Sequence, residues 1–135
     1  MQDPENLTVY RRSIAYAVRC TRLTRRLRAR EAPGMASQLA RASCSVPANI
    51  AEGVGQPSSA VCAKHLGIAI GSLNECETHL RILSELSSSI GDVSYLLEES
   101  KHLRRMLLAL RAHYLDQGKS GPSTPSPSTP SPLDP

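Results

Sequence analysis

An uninterrupted apolar seam in the third quarter of the sequence constrains the fold more than any other feature. Its positions alternate spacings of four and three residues, and they carry Cys62, Leu66, Ala69, Leu73, Cys76, Leu80 and Leu83. This heptad spacing is typical of a long helix that packs against other helices along its whole length. Ile68, Ile70 and Ile82 widen the apolar surface, which indicates contacts on more than one side, within a bundle or with another subunit. Gly67 and Gly71 leave room for a second backbone to approach.

Three further segments repeat the helical period. They cover about residues 5–30 and 35–53, and a last stretch over about 92–114 that begins with Asp92 as a cap. The seam helix itself begins at Ser58 or Ser59, either of which is a suitable cap. Four long amphipathic helices joined by short connections predict an all-α, up-down-up-down antiparallel four-helix bundle.

The predicted bundle domain covers residues 1–117, and residues 118–135 differ from it in composition. The stretch "GKSGPSTPSPSTPSPLDP" holds six of the ten prolines of the chain and almost no apolar side chain. Such a segment cannot bury enough apolar surface to offset the entropy of its chain. We therefore predict a disordered C-terminal tail rich in proline, serine and threonine.

The second helix contains a proline near the middle of the stretch "SVPANIAEG", residues 45–53. Pro47 removes one backbone donor, so we expect a kink, and helical residues on both sides of it argue against an end of the helix. Asn49 or Ser45 is expected to donate to the carbonyl group that Pro47 frees, and Glu52 to pair with Arg41 or with a neighbouring helix. We interpret this stretch as a structural polar joint, at a helix or subunit interface, and not as an active site.

Arginines dominate the first helix. Residues 1–30 contain eight arginines and two acidic residues, a local charge of +6, whereas the whole chain carries +4. The period places the packing stripe of this helix on Leu7, Tyr10, Ile14, Ala17, Val18 and Thr21. It places Arg12, Arg19, Arg26 and Arg30 together on the opposite side, facing water or a partner. A solvated helix face is the alternative interpretation of this stripe.

An arginine face of this kind favours binding of phosphate groups, because the guanidinium fork matches phosphate oxygens. We predict contacts with nucleic acid through Arg12, Arg19, Arg22, Arg26 and Arg30. The chain has four tyrosines and no other aromatic residue, which is too few for a platform on which unpaired bases stack. Structured RNA or duplex DNA is therefore the expected ligand, bound with little sequence preference.

Two Cys-x-x-His pairs, Cys62/His65 and Cys76/His79, raise the question of a metal site. They lie about 21 Å apart along a straight helix and cannot share an ion. Because both cysteines also occupy seam positions, we expect reduced, buried thiols, no metal and no cofactor.

The sequence offers no catalytic arrangement. Glu75 and Glu77 point about 200° away from one another on a helix, so they do not form a carboxylate pair. Neither a G-x-S-x-G nor an S-x-x-K motif occurs. No apolar run is long enough to span a membrane, and the N-terminus does not resemble a secretory signal. We expect a cytoplasmic protein that is not an enzyme.

Two stretches, "SVPANIAEG" and "LGIAIGSLNECETHL", carry a resemblance that spans roughly residues 8–115. In this order they resemble the signature of small bacterial four-helix-bundle proteins encoded by intervening sequences of large-subunit ribosomal RNA genes. That family is in turn similar to the accessory protein of diversity-generating retroelements. The matching positions that we single out as a structural motif or interface are Ser45, Pro47, Asn49, Glu52, Gly53, Gly71, Glu75 and Glu77.

The resemblance implies a ring of five subunits, a role in nucleic-acid binding and no catalytic activity for a chain with these motifs. Our leading hypothesis is a non-enzymatic homo-oligomer that binds structured nucleic acid through the first helix. The alternative is an adaptor or scaffold that holds a protein partner, for example a reverse-transcriptase-like enzyme. Salt separates the two, because phosphate contacts weaken steeply with ionic strength and a packed protein interface does not.

Overall fold

The computed structural model describes residues 3–4, 7–27, 33–86 and 91–119, and this part of the chain is helical. Its helices are α1 (Thr8–Leu27), α2 (Pro33–Val54), α3 (Ser59–Leu86) and α4 (Val93–Lys119). Each helix packs against the next one along the chain, and α1 also meets α4. These contacts close an up-down-up-down four-helix bundle and confirm the predicted fold.

The helix ends follow from local chemistry. Ser58 caps α3, since its hydroxyl accepts a hydrogen bond from the amide of Val61 at 3.4 Å. At α4 the carbonyl of Asp92 accepts from the amide of Leu96 at 3.0 Å, so Asp92 begins that helix as predicted. The helix then continues through Lys119, two residues beyond the predicted domain boundary. The remaining tail residues, 120–135, lie outside the described part of the chain.

The core forms around α3, which packs along its length against both α2 and α4. All seven residues of the predicted seam are buried: Cys62, Leu66, Ala69, Leu73, Cys76, Leu80 and Leu83. Gly53 permits the close crossing of α2 over α3, because a Cβ atom there would lie 3.0 Å from Cβ of His65. A Cβ atom at Gly71 would have no heavy atom within 4 Å, so this glycine faces open space in the single chain.

The predicted packing stripe of the first helix is wrong. The residues that α1 buries are Val9, Ser13, Tyr16, Ala17, Cys20, Leu23, Thr24 and Leu27. Of the six predicted positions only Ala17 is among them, although Leu7 and Tyr10 are partly buried against the core, and Ile14 and Val18 are 39% and 42% exposed. The helix is therefore rotated about its axis relative to the prediction.

Two hydroxyl groups lie on the buried side of α1. Ser13 donates to the carbonyl of Tyr10, and Thr24 donates to the carbonyl of Thr21, both at 2.7 Å. A hydroxyl that bonds back to its own helix can enter the core without an unsatisfied donor. The rest of this buried side is apolar, and the branched residues Ile14 and Val18 remain at the surface.

The cysteines follow the prediction at three positions out of four. Cys20, Cys62 and Cys76 are free and buried, whereas Cys44 is free and exposed. Within the described residues, no helix is long and apolar enough to cross a membrane.

Candidate nucleic-acid interface on the first helix

Arg12 is joined to α4 by a bidentate ion pair. Its Nε donates to Oε1 of Glu99 at 2.9 Å, and its Nη2 donates to Oε2 at 2.8 Å. Glu99 is only 12% exposed, and its hydrogen bond raises the pKa of Arg12. A bidentate pair with a nearly buried carboxylate holds the guanidinium in one position. Arg12 therefore connects two helices of the bundle.

Arg19 and Arg26 also lie along α4. The guanidinium carbon of Arg19 stands 4.0 Å from the ring centroid of Tyr95, a cation–π contact. Arg26 donates to Oδ2 of Asp92 at 2.7 Å, and both of these side chains are largely exposed. The arginine stripe thus lies on the flank of α1 that adjoins α4, which corrects the prediction that it faces away from the other helices.

The sequence contained a signal for this flank that the prediction missed. Arg12, Arg19 and Arg26 are each seven residues apart, and so are Asp92 and Glu99 on the antiparallel helix. Residues seven apart lie within about 20° of one another on a helix, so two such series face each other across an antiparallel pair. Opposite charges in matching heptad positions predict a helix–helix seam.

Arg22 and Arg25 lie on the other side of α1 and differ in their surroundings. Both are exposed, and among the described residues neither has an ion-pair or hydrogen-bond partner. They line a groove of about 400 Å³ between α1 and α2. Its remaining lining is mainly apolar: Ile14, Ala17, Val18, Thr21, Cys44 and Pro47. The predicted contact Arg30 lies outside the described residues.

The charge on α1 exceeds what α4 neutralises. The helix contains six arginines and no acidic residue. Asp92 and Glu99 of α4 each pair with one of them, whereas Arg19, Arg22 and Arg25 face no carboxylate among the described residues. The exposed guanidinium groups of Arg19, Arg22 and Arg26 lie on the part of α1 that faces away from the core. This surface can hold several phosphate groups along one helix.

The polar motif of α2 lies against α3. The amide nitrogen of Asn49 donates to the carbonyl and to the hydroxyl of Ser45, at 2.9 and 3.0 Å. That hydroxyl in turn is 2.9 Å from Oγ of Ser72, and Oδ1 of Asn49 is 3.3 Å from Nδ1 of His65. Ser45 and Asn49 therefore form polar contacts between the two helices.

Two details of the predicted joint are wrong. Asn49 donates to the carbonyl of Ser45 and not to the carbonyl four residues before Pro47. Glu52 is exposed and accepts from the side chain of Gln56 at 3.3 Å, so the predicted Glu52–Arg41 pair does not form. Arg41 points instead toward α3, where its nearest carboxylate oxygen, on Glu75, is 3.8 Å away. Helix α2 continues through Pro47, as predicted.

Glu75 and Glu77 lie on opposite sides of α3. Glu77 is nearly buried, and both Arg104 of α4 and Arg81 donate hydrogen bonds to its carboxylate. Glu75 is exposed, and its oxygen atoms are 3.8 Å from Arg41 and 3.7 Å from His79. Glu77 thus joins α3 to α4, a contact that the sequence analysis did not anticipate because Arg104 gives no motif.

The cysteines and histidines of α3 have structural surroundings. The thiol of Cys62 donates to the carbonyl of Gln56 at 3.3 Å. Cys76 lies with Cys20 beside the buried hydroxyl of Tyr16, and burial raises the pKa of Cys20 to about 12. In the part of the chain that the structure describes, no three potential ligands come together as a metal site.

The comparisons with known proteins agree with this architecture. The family model described as 23S rRNA-intervening sequence protein matches residues 5–109. A crystal structure of a protein of unknown function from the S23 ribosomal protein family of Bacteroides thetaiotaomicron is similar, with a TM-score of 0.71 and 26% sequence identity. The match covers 77% of this chain and 98% of that one. A search of the curated proteins found no match.

Proposed function

Because the chain belongs to the 23S rRNA-intervening sequence protein family, we propose that it is a non-enzymatic, cytoplasmic protein that assembles with copies of itself and binds structured nucleic acid. The family resemblance supports a ring of five copies. One observation carries the proposed binding: α1 presents more guanidinium groups than its neighbours neutralise. In a ring this surface is repeated on every copy, which strengthens the field that attracts a polyanion.

The binding residues that we propose are Arg19, Arg22 and Arg26. Arg22 has no partner among the described residues, and the stacked guanidinium of Arg19 keeps its N–H edge exposed. The Arg26–Asp92 pair is a surface ion pair, which contributes about 0–1 kcal/mol, so a phosphate group can replace the carboxylate. Arg12 stays with Glu99, because that carboxylate is nearly buried and held at two atoms.

The aromatic residues support a phosphate-directed mode of binding. Tyr16 and Tyr114 are buried, and the ring of Tyr95 is covered by Arg19. Base stacking on aromatic rings is the usual way to hold unpaired bases. With most of the tyrosines occupied in this way, contacts to the backbone of a duplex or hairpin are favoured, and the sequence preference is expected to be weak.

The test is a fluorescence-anisotropy titration of an RNA hairpin and of the matching DNA duplex, at about 50 and 200 mM salt. Wild-type protein is expected to bind at low salt and to lose affinity steeply at high salt. The triple variant Arg19→Ala, Arg22→Ala, Arg26→Ala is expected to lose binding. A control with the same loss of charge elsewhere, Lys64→Ala, Arg105→Ala, Lys119→Ala, is expected to retain most of it.

Equal losses of affinity in the two triple variants would show that only the net charge matters, and would refute a specific binding surface on α1. Absence of binding by the wild-type protein at low salt would refute the nucleic-acid function altogether. The exposed apolar residues beside Arg22 and Arg25 would then favour an adaptor for a protein partner, whose binding depends little on salt.

A further inference from the structure

The groove between α1 and α2 is a concave surface that the single chain leaves uncovered. Ile14 and Val18 are exposed on one wall, and Pro47 and Cys44 lie on the other. Along α1 the groove extends from Ile14 to Arg25, about 16 Å at 1.5 Å per residue. An apolar trough flanked by two cations without described partners fits an occupant that is apolar, narrow and negatively charged.

The chain carries a convex surface of this kind on α3. Ile68, Glu75 and Ile82 are seven residues apart and lie within about 40° of one another, on the side of α3 opposite its buried seam. We call these residues, together with Gly71, the α3 ridge. Ile68 and Ile82 are 42% and 41% exposed, and Gly71 leaves open space where another backbone can approach.

Length and charge of the two surfaces match. The α3 ridge spans about 21 Å from Ile68 to Ile82, slightly longer than the groove. Glu75 stands at its centre, with the guanidinium group of Arg41 and the imidazole ring of His79 at 3.8 and 3.7 Å, beyond hydrogen-bonding distance. The Glu75 carboxylate is 44% exposed and can reach Arg25 of a second molecule.

We propose that the α3 ridge of one copy docks in the α1–α2 groove of the next copy. This inference rests on the self-association proposed above and names the two surfaces that produce it. One isoleucine of the ridge covers Ile14 and Val18, and Glu75, seven residues along α3, meets Arg25, which is seven residues from Val18. Because the groove and the ridge are different surfaces of the same chain, the contact is head-to-tail, and repeated contacts close into a ring if the rotation permits.

The wild-type chain contains a probe of this contact. Cys44 lies in the groove and is exposed in the single chain, whereas Cys20, Cys62 and Cys76 are buried. Alkylation of the native protein by iodoacetamide, followed by mass spectrometry, therefore reports Cys44. Docking predicts that this thiol is protected at high protein concentration and becomes reactive on dilution. Equal reactivity in an assembled and a diluted sample would overturn the inference.

Disulfide trapping tests the pairing directly. In full-length protein, Gly71→Cys places a thiol on the α3 ridge, one helical turn from Glu75, and oxidation is expected to link it to Cys44 of the next copy. Non-reducing electrophoresis is expected to show a ladder of linked species. Cys44→Ala is expected to abolish that ladder, and the matched control Asn74→Cys, exposed beside the ridge, is expected to give none.

Size-exclusion chromatography with light scattering separates the two proposals. An oligomer in which Gly71→Cys gives no link to Cys44 would refute these surfaces and leave self-association standing. A monomer at every concentration tested would refute self-association itself. Neither result bears on nucleic-acid binding, which the anisotropy titration measures separately.

Discussion

Both flanks of α1 carry arginines, but their surroundings within the protein differ. On the flank toward α4, Arg12 and Arg26 pair with carboxylates and Arg19 lies on an aromatic ring. On the flank toward α2, Arg22 and Arg25 stand beside an apolar groove without a described partner. The neighbouring helix makes the difference, since α4 offers acids and a tyrosine where α2 offers a proline and a cysteine.

This difference separates structural from available arginines. Helix α1 packs against α2 more extensively than against α4, so polar contacts have a larger share in holding the α1–α4 seam. Removing a guanidinium group from a nearly buried carboxylate leaves the carboxylate without its partner, which is unfavourable. An exposed guanidinium group without a partner loses no such contact when it binds a phosphate or a carboxylate of another molecule. Four predictions test the contrast between side chains that are buried or paired within the protein and side chains that are exposed without a described partner.

The largest expected effect concerns the thiols beneath and beside α1. Burial raises the pKa of the Cys20 thiol to about 12, well above its ordinary value, whereas Cys44 is exposed in the groove. A thiol with a raised pKa binds its proton more tightly in the folded chain, so its stabilising effect is complete below about pH 9 and is lost as the pH rises toward 12. Denaturant titrations across this window are expected to show a falling free energy of unfolding.

Cys20→Ala is expected to flatten that alkaline decline in part, because Tyr16 and Cys76 also have raised pKa values through burial. Cys44→Ala serves as the control and is expected to leave the decline unchanged. An identical effect of the two substitutions would contradict the placement of Cys20 in the core.

Removal of the carboxylate partner of Arg12 comes next. Glu99→Gln keeps the size of the side chain and deprives the guanidinium of its charged acceptor. Because Arg12 is 40% exposed, water compensates in part, and we expect a loss of about 1 kcal/mol in the free energy of unfolding. Thermal and urea denaturation measure it. Glu98→Gln, one residue away and exposed, is the control, and a loss of the same size there would contradict a specific bond.

The cation–π contact is weaker. Tyr95→Ala removes the ring beneath Arg19, with an expected loss of about 0.5–1 kcal/mol, which chemical denaturation can detect. Tyr95→Phe retains a ring and is expected to retain most of the stability. If Tyr95→Phe proved as destabilising as Tyr95→Ala, the hydroxyl group and not the ring face would account for the contact.

The open arginines are expected to contribute least to folding. Arg22→Ala and Arg25→Ala break no described contact, so each is expected to change the free energy of unfolding by less than about 0.5 kcal/mol. Their effect is expected in binding and association, measured by anisotropy and light scattering. A large loss of stability in either variant would place these arginines in the same class as Arg12.

Much of the fold could be predicted because α3 leaves little choice. Its seam is apolar at every position, and all seven residues are buried as the period indicates. The facing of α1 was missed because the predicted stripe left out most of the apolar residues that this helix buries, which are Val9, Tyr16, Cys20, Leu23 and Leu27. The prediction instead placed Ile14 and Val18 in the packed stripe, and both side chains are exposed.

The sequence indicated which residue type forms the candidate site, but not how those residues are arranged. The sequence identified the arginines of the first helix, but which of them α4 engages depends on the antiparallel register that brings Arg12 to Glu99. The groove also required the structure, because Ile14 and Pro47 belong to different helices and give no joint motif. Of the polar residues singled out in α2, Ser45 and Asn49 contact α3, whereas Glu52 contacts Gln56.

The central claim is that the open part of α1 binds the phosphates of nucleic acid. The most direct test is the slope of log affinity against log salt for a DNA duplex, measured for the wild-type protein, Arg22→Ala and Lys64→Ala. Loss of one phosphate contact is expected to reduce the magnitude of the slope by about 0.9 for Arg22→Ala and to leave it nearly unchanged for Lys64→Ala. A slope that Arg22→Ala leaves at the wild-type value, or wild-type binding that does not depend on salt, would contradict the claim.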